Sequence, residues 1–524
     1  MKRDAQPTVG PPFPAEYRSS GILLHITSLP SRYGLGDMGP AAFEWLDRLQ
    51  EAGQSWWQAL PLGPTGYGNS PYQPLSSFAG NGLLISPDLV IADGLLHESS
   101  CEDQSFDPSC IDYGAVIRFK HRLLNEVWGS FKAGVRKDLR PAYERFCHQQ
   151  AHWLEDYALF RALKEKYRVS YPDWPAELVE RTPAAMTRAR RELSKQIDQV
   201  RFAQFLIFHQ AQRLREQAHS KGVRLIGDLP FFVSADSSDV WAHPELFLLD
   251  ERRRPRFVAG VPPDYFSANG QLWGNPVYDW DALRSRGFRF CIDRLRAMLA
   301  YVDVIRLDHF RGFAAAWHVP ADAKTAQTGQ WVPAPGAEFF TAAKKELDGL
   351  PFIAEDLGLI TPDVCAIRDQ FQIPGMKVLQ FAFDGKPDNP HLPVNYTPNS
   401  VVYTGTHDNN TTRGWYEALP EEQRRTVRSF LRRDDGIEIA MELLEQAWTS
   451  VAALAIAPLQ DVLNLGAEAR MNTPGSSEGN WCWRVAKEMV KATGFQSLRN
   501  LTAAAKRLPT PQASRVAKAA KGAS

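Results

Sequence analysis

Continuous apolar runs recur along the chain, and most end in polar residues or glycine. They read GILLHITSLP (21–30), SWWQALPLGPT (55–65), VRLIGDLPFF (223–232), VDVIRLDHF (302–310), FIAEDLG (352–358), MKVLQFAF (376–383), VVYTGTHD (401–408) and VAALAIAPLQDVL (451–463). Alternating patterns mark strands with one wet face. Runs without alternation mark strands buried on both faces, hence a parallel sheet. Helical periodicity fills most of the gaps. In PAAFEWLDRLQEAG (40–53), Phe43, Leu46 and Leu49 share a face and Gly53 supplies the stop. Segments 287–301, 338–349, 361–371, 420–433 and 437–450 repeat the pattern, and Thr361 followed by Pro362 is a helix start. Eight strands alternating with helices predict an α/β fold, a (β/α)8 TIM barrel, over residues 21–500.

Two stretches interrupt the alternation. Residues 87–221 are mostly of helical pattern and too long for a loop, so a helical insertion subdomain is expected there. Residues 233–286 are rich in Pro, Gly, Trp and Asp and read as irregular loop structure over a cleft. The ends differ again. Residues 1–20 carry Pro7, Pro11, Pro12 and Pro14; residues 506–524 carry Lys506, Arg507, Arg515, Lys518 and Lys521 without an acid. Both ends are expected to be disordered.

Composition narrows the function. Formal net charge is zero over 524 residues, which gives no electrostatic footprint for nucleic acid. No apolar stretch reaches membrane-spanning length, and the first twenty residues lack a signal core. Six scattered cysteines without a CxxC pair point to a reducing compartment, so a cytoplasmic protein is expected. Several of the 15 tryptophans sit beside Gly, Pro or Asn, as in LWGNPVYDW and NWCWR. Flat rings in loops suit sugar stacking, although they also serve to pin loops to the body.

In a barrel, the C-terminal strand ends converge on one face. Four acids at these ends come from the third, fourth, fifth and seventh runs, each following apolar residues: Asp228, Asp308, Glu355 and Asp408. They are too far apart in sequence for one local ion pair. Retaining glycosidic chemistry needs a nucleophilic carboxylate and a protonated carboxylic acid about 5–5.5 Å apart. Adjacent strands lie about 4.8 Å apart, so Asp308 and Glu355 on consecutive strands suit that reach. Arg306 is placed to keep Asp308 ionised. Burial and the Asp308 charge would keep Glu355 protonated. Asp408 is placed to accept sugar hydroxyls. Other readings of the same acids are a polar cluster closing the barrel top, a Mg²⁺ site, or a zinc site through His309 and His407.

The segments IRLDHFRGF, AEDLG and GTHDNNT resemble the catalytic segments of the 4-α-glucanotransferase family, glycoside hydrolase family 77. GPTGYGNSPYQ, GDLPFFV, GVPPDYFSANGQLWGNPVYDW and EARMNTPGSSEGNWCWR are similar to further segments of that family, in order from Gly21 to Arg499. The resemblance implies Asp308 as nucleophile, Glu355 as general acid/base and Asp408 as transition-state stabiliser. It implies substrate contacts from Tyr67, Ser70, Tyr72, Asp228, Arg306, His407, Arg470 and Asn472. It also implies a flexible loop at 262–273 bearing Asp264, Gln271 and Trp273. No long domain is expected before the first strand, and the basic tail matches nothing in the family.

On this resemblance the partners are malto-oligosaccharides and α-1,4-glucans, as donor and acceptor. No metal, cofactor, nucleic acid or membrane is implied, and the protein is expected to be a monomer or simple homo-oligomer. The alternatives are an α-amylase-type hydrolase, a non-catalytic glucan-binding barrel and a metal-dependent barrel enzyme. Transfer and hydrolysis share the covalent intermediate. A transferase must in addition hold an acceptor and cover the site, which Tyr265, Phe266 and Trp273 would do.

Overall fold

The computed structural model describes residues 12–14, 16–102, 104–263, 268–433, 438–476, 478–491 and 494–509, apart from the side chain of Tyr67. The strands, in chain order, are β1 (Ser19–Leu23), β2 (Trp56–Gln58), β3 (Arg224–Leu229), β4 (Phe257–Val261), β5 (Gln271–Pro276), β6 (Val304–Leu307), β7 (Ala315–Pro320), β8 (Gln330–Pro333), β9 (Phe352–Ala354), β10 (Gly375–Val378), β11 (Ser400–Tyr403) and β12 (Leu454–Pro458). Eight of them close a parallel barrel in the order β1-β12-β11-β10-β9-β6-β3-β2. Each barrel strand falls on one of the eight apolar runs, and the chain is a (β/α)8 barrel.

Side chains alternate across the barrel wall as the strand period requires. Leu23, Trp56, Ile226, Val304, Ile353, Met376, Val401, Tyr403 and Ile456 form an inner cluster. Ile22, Trp57, Leu225, Ile305, Phe352, Val402 and Ala455 face the helical layer. Register carries the inner row up to the site: Asp228 pairs with Arg306, and Leu307 with Ala354, one step below Asp308 and Glu355.

The region between β2 and β3 contains helices Tyr113–Lys132, Arg140–Gln149, Ala151–Tyr167, Pro183–Glu192 and Ser194–Ser220. The last of these packs against the other insertion helices. It also packs against β3 and the first barrel helix, Pro40–Glu51, so it belongs to the barrel as well.

Two expectations need correction. Residues 233–286 are not simply irregular: β4 and β5 join β7 and β8 in an antiparallel sheet of order β5-β4-β7-β8. The glycines that suggested a loop let these strands approach. A Cβ on Gly260 would lie 2.3 Å from the Gln271 carbonyl oxygen. The ends are also ordered where they are described. Phe13 is 2% exposed, stacked on Tyr17 at 5.4 Å and edge-on to Trp56 at 5.8 Å, at the foot of the barrel. Arg507 is 0% exposed. It donates to the carbonyls of Ser19, Trp448, Ser450, Ala452 and Ala453, joining the start of β1 to the approach to β12. What looked like the first residues of a solvated basic tail is a lock on the barrel bottom. Residues 1–11 and 510–524 lie outside the described residues.

Candidate active site

The C-terminal strand ends gather the acids around one arginine. Arg306 projects inward from β6 and its Nη1 donates to both Asp228 oxygens and to Asp308 Oδ1, each at 2.8 Å. Burial alone would lower its pKa, but the Asp228 and Asp308 charges outweigh burial and raise it well above the ordinary value. A guanidinium therefore occupies the space between two carboxylates where a metal reading would put a cation. Among the described residues no group of three or more His, Cys, Asp or Glu could hold a metal ion.

Asp228 is fully buried. It also accepts from the Tyr72 hydroxyl at 2.7 Å, so both its oxygens hold protein side chains. Asp308 keeps 27% of its side chain exposed, towards the cleft. Glu355 follows β9 immediately. Its Oε2 accepts from the His309 amide at 2.7 Å and its Oε1 from the Leu357 amide at 3.1 Å. His309 can aim that amide because its backbone is left-handed, at φ 49°. Burial raises the Glu355 pKa to about 8; Arg306 pulls down, Asp308 pushes up, and the two amides only partly oppose burial. The His309 ring adds no charge here, since burial lowers its pKa to about 4.

The third acid has a different setting. Asp408 follows His407 beyond β11 and is exposed. Asn472 Nδ2 donates to its Oδ1 at 2.6 Å, and Arg470 Nη2 to its carbonyl at 2.7 Å. His407 Nε2 lies 3.3 Å from the same Oδ1. The His407 ring stacks on Tyr72 at 5.0 Å with 9° between planes. Tyr72 thus touches Asp228 through its hydroxyl and His407 through its ring, tying the first acid pair to the third acid. Ser70 shapes the approach, its Oγ accepting from the Tyr72 amide at 3.2 Å.

The antiparallel sheet delivers Trp273 from β5. Its ring meets that of His309 edge-on at 4.8 Å, and its Nε1 donates to Gln271 Oε1 at 3.2 Å. Asp264, Tyr265, Phe266 and the Tyr67 side chain lie outside the described residues.

Three contributors were not named as site residues from the sequence, although Trp481 lies in the aromatic NWCWR segment. Trp481 lies 5.8 Å from Tyr72 and 6.0 Å from His407 and completes an aromatic wall. Asp461, fully buried, accepts from Thr404 Oγ1 at 2.5 Å and from the Thr412 amide and hydroxyl at 2.7 Å, which shapes the His407–Asp408 loop. His25 lies two residues beyond β1. It lines an open pocket with Thr406, His407, Asn410, Gln460 and Arg470. Burial and then His407 lower its pKa to about 3. Its position, directly after the apolar residues Ile22–Leu24, is the signal that already singled out the four acids.

A closed parallel barrel that converges carboxylates of unequal character on its C-terminal face is the arrangement of a barrel enzyme. The sequence model of the family described as 4-alpha-glucanotransferase matches residues 24–490, and the chain belongs to that family, whose members transfer glycosyl groups. The 4-alpha-glucanotransferase of Synechocystis sp. is 48% identical over 472 residues, 89% of this chain and 94% of the relative. That of Thermus thermophilus is 46% identical over 500 residues, 94% of this chain and 99% of the relative. Among solved structures, an amylomaltase from Streptococcus agalactiae in complex with acarbose superposes with a TM-score of 0.91 at 37% identity, covering 94% of this chain and 100% of that one.

Proposed function

We propose that this glycosyl-transferring enzyme moves a segment of an α-1,4-glucan to the 4-hydroxyl of a malto-oligosaccharide acceptor, with retention. Asp308 attacks the anomeric carbon and forms a β-glycosyl ester. Glu355 gives its proton to the departing glycosidic oxygen. The acceptor hydroxyl then attacks the same carbon, Glu355 takes its proton, and Asp308 leaves. Asp408 accepts hydroxyl hydrogen bonds of the sugar, with Asn472 and Arg470 holding it in place. Arg306, His407 and Tyr72 position the donor ring, and Asp228 holds Arg306 and Tyr72.

The observation that carries this reading is the inequality of the two central acids. Asp308 is ion-paired to Arg306 at 2.8 Å, and burial lifts the Glu355 pKa to about 8. A nucleophile and a proton donor on neighbouring strands meet the demand of retaining chemistry. The cytoplasm is the proposed site of action, supported by six free cysteines. Incubation with maltotriose alone tests the reaction. Glucose plus chains longer than maltotriose supports transfer; glucose and maltose with no longer chain would mean a hydrolase.

A further inference from the structure

The last barrel strand is followed by the loop that carries Arg470, Asn472 and Trp481 to the site. This loop is fastened to the segment before the helix Tyr113–Lys132. Cys110 and Trp483 form a single antiparallel bridge. The Ile111 amide donates to the Cys482 carbonyl at 2.8 Å, and the Arg484 amide to the Ser109 carbonyl at 2.9 Å. Cys110 and Cys482 are therefore diagonal neighbours, which puts their Cα atoms roughly 5–6 Å apart, inside the range a disulfide bridges. A regular ladder would turn the two side chains to opposite faces. Here the pairing is one bridge long and Trp481 beside it is left-handed, at φ 65°. The Cys110 thiol is near enough to that of Cys482 to help raise its pKa, after burial.

The same segment reaches the active site within one residue. The Trp481 carbonyl accepts from the Tyr113 hydroxyl at 2.9 Å, and its amide donates to the Met471 carbonyl at 2.9 Å. The Trp481 ring belongs to the wall that packs Tyr72 and His407. The Cys482 sulfur lies 3.5 Å from the Gly479 carbonyl, a contact it must give up to bond elsewhere.

We propose that Cys110 and Cys482 are a reversible modification site, a dithiol that a low-molecular-weight disulfide closes into an intramolecular disulfide, slowing transfer by displacing Trp481. Cys110 is exposed and reacts first. It loses its proton and its sulfur attacks the reagent RSSR, forming a mixed disulfide and releasing RS⁻, which takes a proton. Cys482 then loses its proton and attacks the Cys110 sulfur, expelling the second RS⁻, which is protonated in turn. Two protein thiols are oxidised to one disulfide and RSSR is reduced to two RSH. Burial, followed by the neighbouring thiol, pushes the Cys482 pKa up to about 12, which leaves it little thiolate; it therefore does not compete for the reagent, and its attack proceeds because it is intramolecular. The proposal does not depend on the roles given to the three acids.

The test treats the full chain with oxidised glutathione, alkylates it, maps disulfides by mass spectrometry and assays transfer on maltotriose. The expected result is a Cys110–Cys482 linked peptide and a fall in kcat/KM of about threefold or more, reversed by dithiothreitol. C110S, at an exposed position, retains the parent activity and loses the response; C365S keeps both. Failure to find the linked peptide overturns the proposal, as does glutathione that stays on Cys110. A linked peptide with unchanged kcat/KM overturns the coupling to the site. A response that survives in C110S shows that the oxidised group lies elsewhere.

Discussion

Two buried arginines mark opposite ends of the barrel. Arg306, at the C-terminal end, is held by carboxylates, and one of these, Asp308, keeps an exposed edge. Arg507, at the N-terminal end, is held by five backbone carbonyls and exposes nothing. Both are costly charges to bury without partners. The difference lies in what the partners have left to offer. Carbonyl oxygens around Arg507 are consumed in tying three chain segments together, which is a stability device. Around Arg306 the partners are carboxylates, and Asp308 keeps an exposed edge, which is a chemical one. Burial of a charge therefore does not by itself separate catalysis from architecture; the exposure of its partner does.

The sharpest break of this comparison removes the exposed partner. Asp308→Asn leaves Arg306 paired to Asp228, so the unfolding midpoint stays close to that of the parent. Transfer and hydrolysis of maltotriose both fall, by about 10⁴-fold or more. Retention of either activity would mean that Asp308 is not the nucleophile. Glu355→Gln comes next, with a loss of about 10²–10⁴-fold in kcat. Two pH profiles accompany it. In the parent, kcat/KM falls as pH rises through about 8, because the proton donor is lost there. Stability carries the same signature. The folded state keeps the Glu355 proton between its ordinary value of 4.5 and about 8, whereas the unfolded chain has lost it. The native state binds more protons over that range, so stability declines as pH rises across it. Glu355→Gln should flatten that decline in calorimetric scans; an unchanged slope would place the titration elsewhere.

At the opposite end, Arg507→Met should reverse the pattern. The five carbonyls lose a shared charged donor in a buried setting, a cost of about 3 kcal/mol. Thermal unfolding should shift down by several degrees. Assayed well below that transition, kcat/KM should stay within about twofold of the parent, as expected for the stability face of a barrel. A large loss of kcat with an unshifted midpoint would erase the distinction between the two ends.

The sequence exposed these two ends unequally. Barrel strands are buried on both faces, so their apolar runs are continuous and all eight were legible. The acids were legible because each follows the apolar residues of such a run, where an unpaired charge is conspicuous. Arg507 was not, because its partners are backbone carbonyls as distant along the chain as Ser19, and carbonyls have no residue code. Phe13 was lost for a related reason: a lone aromatic among prolines gives no period. The sheet of β4, β5, β7 and β8 was hidden by its glycines and by the polar residues and prolines that interrupt its strands. Asp228 was found, but its commitment to Tyr72 and Arg306 depends on three-dimensional register.

That missed sheet supplies the smallest and most selective prediction. Trp273 stands between the two ends in kind: it bears no charge, and its ring meets His309, the residue whose amide binds Glu355. Trp273→Ala should leave the acids and their ion pair in place, so the glycosyl ester still forms. What changes is the wall beside the ester. Water, at roughly 55 M, enters more easily once the ring is gone, and an acceptor sugar loses a surface to stack on. The ratio of hydrolysis to transfer should therefore rise a few-fold, while total turnover of maltotriose changes less than in either acid variant. Free reducing ends counted against chains longer than maltotriose give that ratio directly. If turnover collapses with the ratio unchanged, Trp273 supports Glu355 through His309 and does not shield the ester from water.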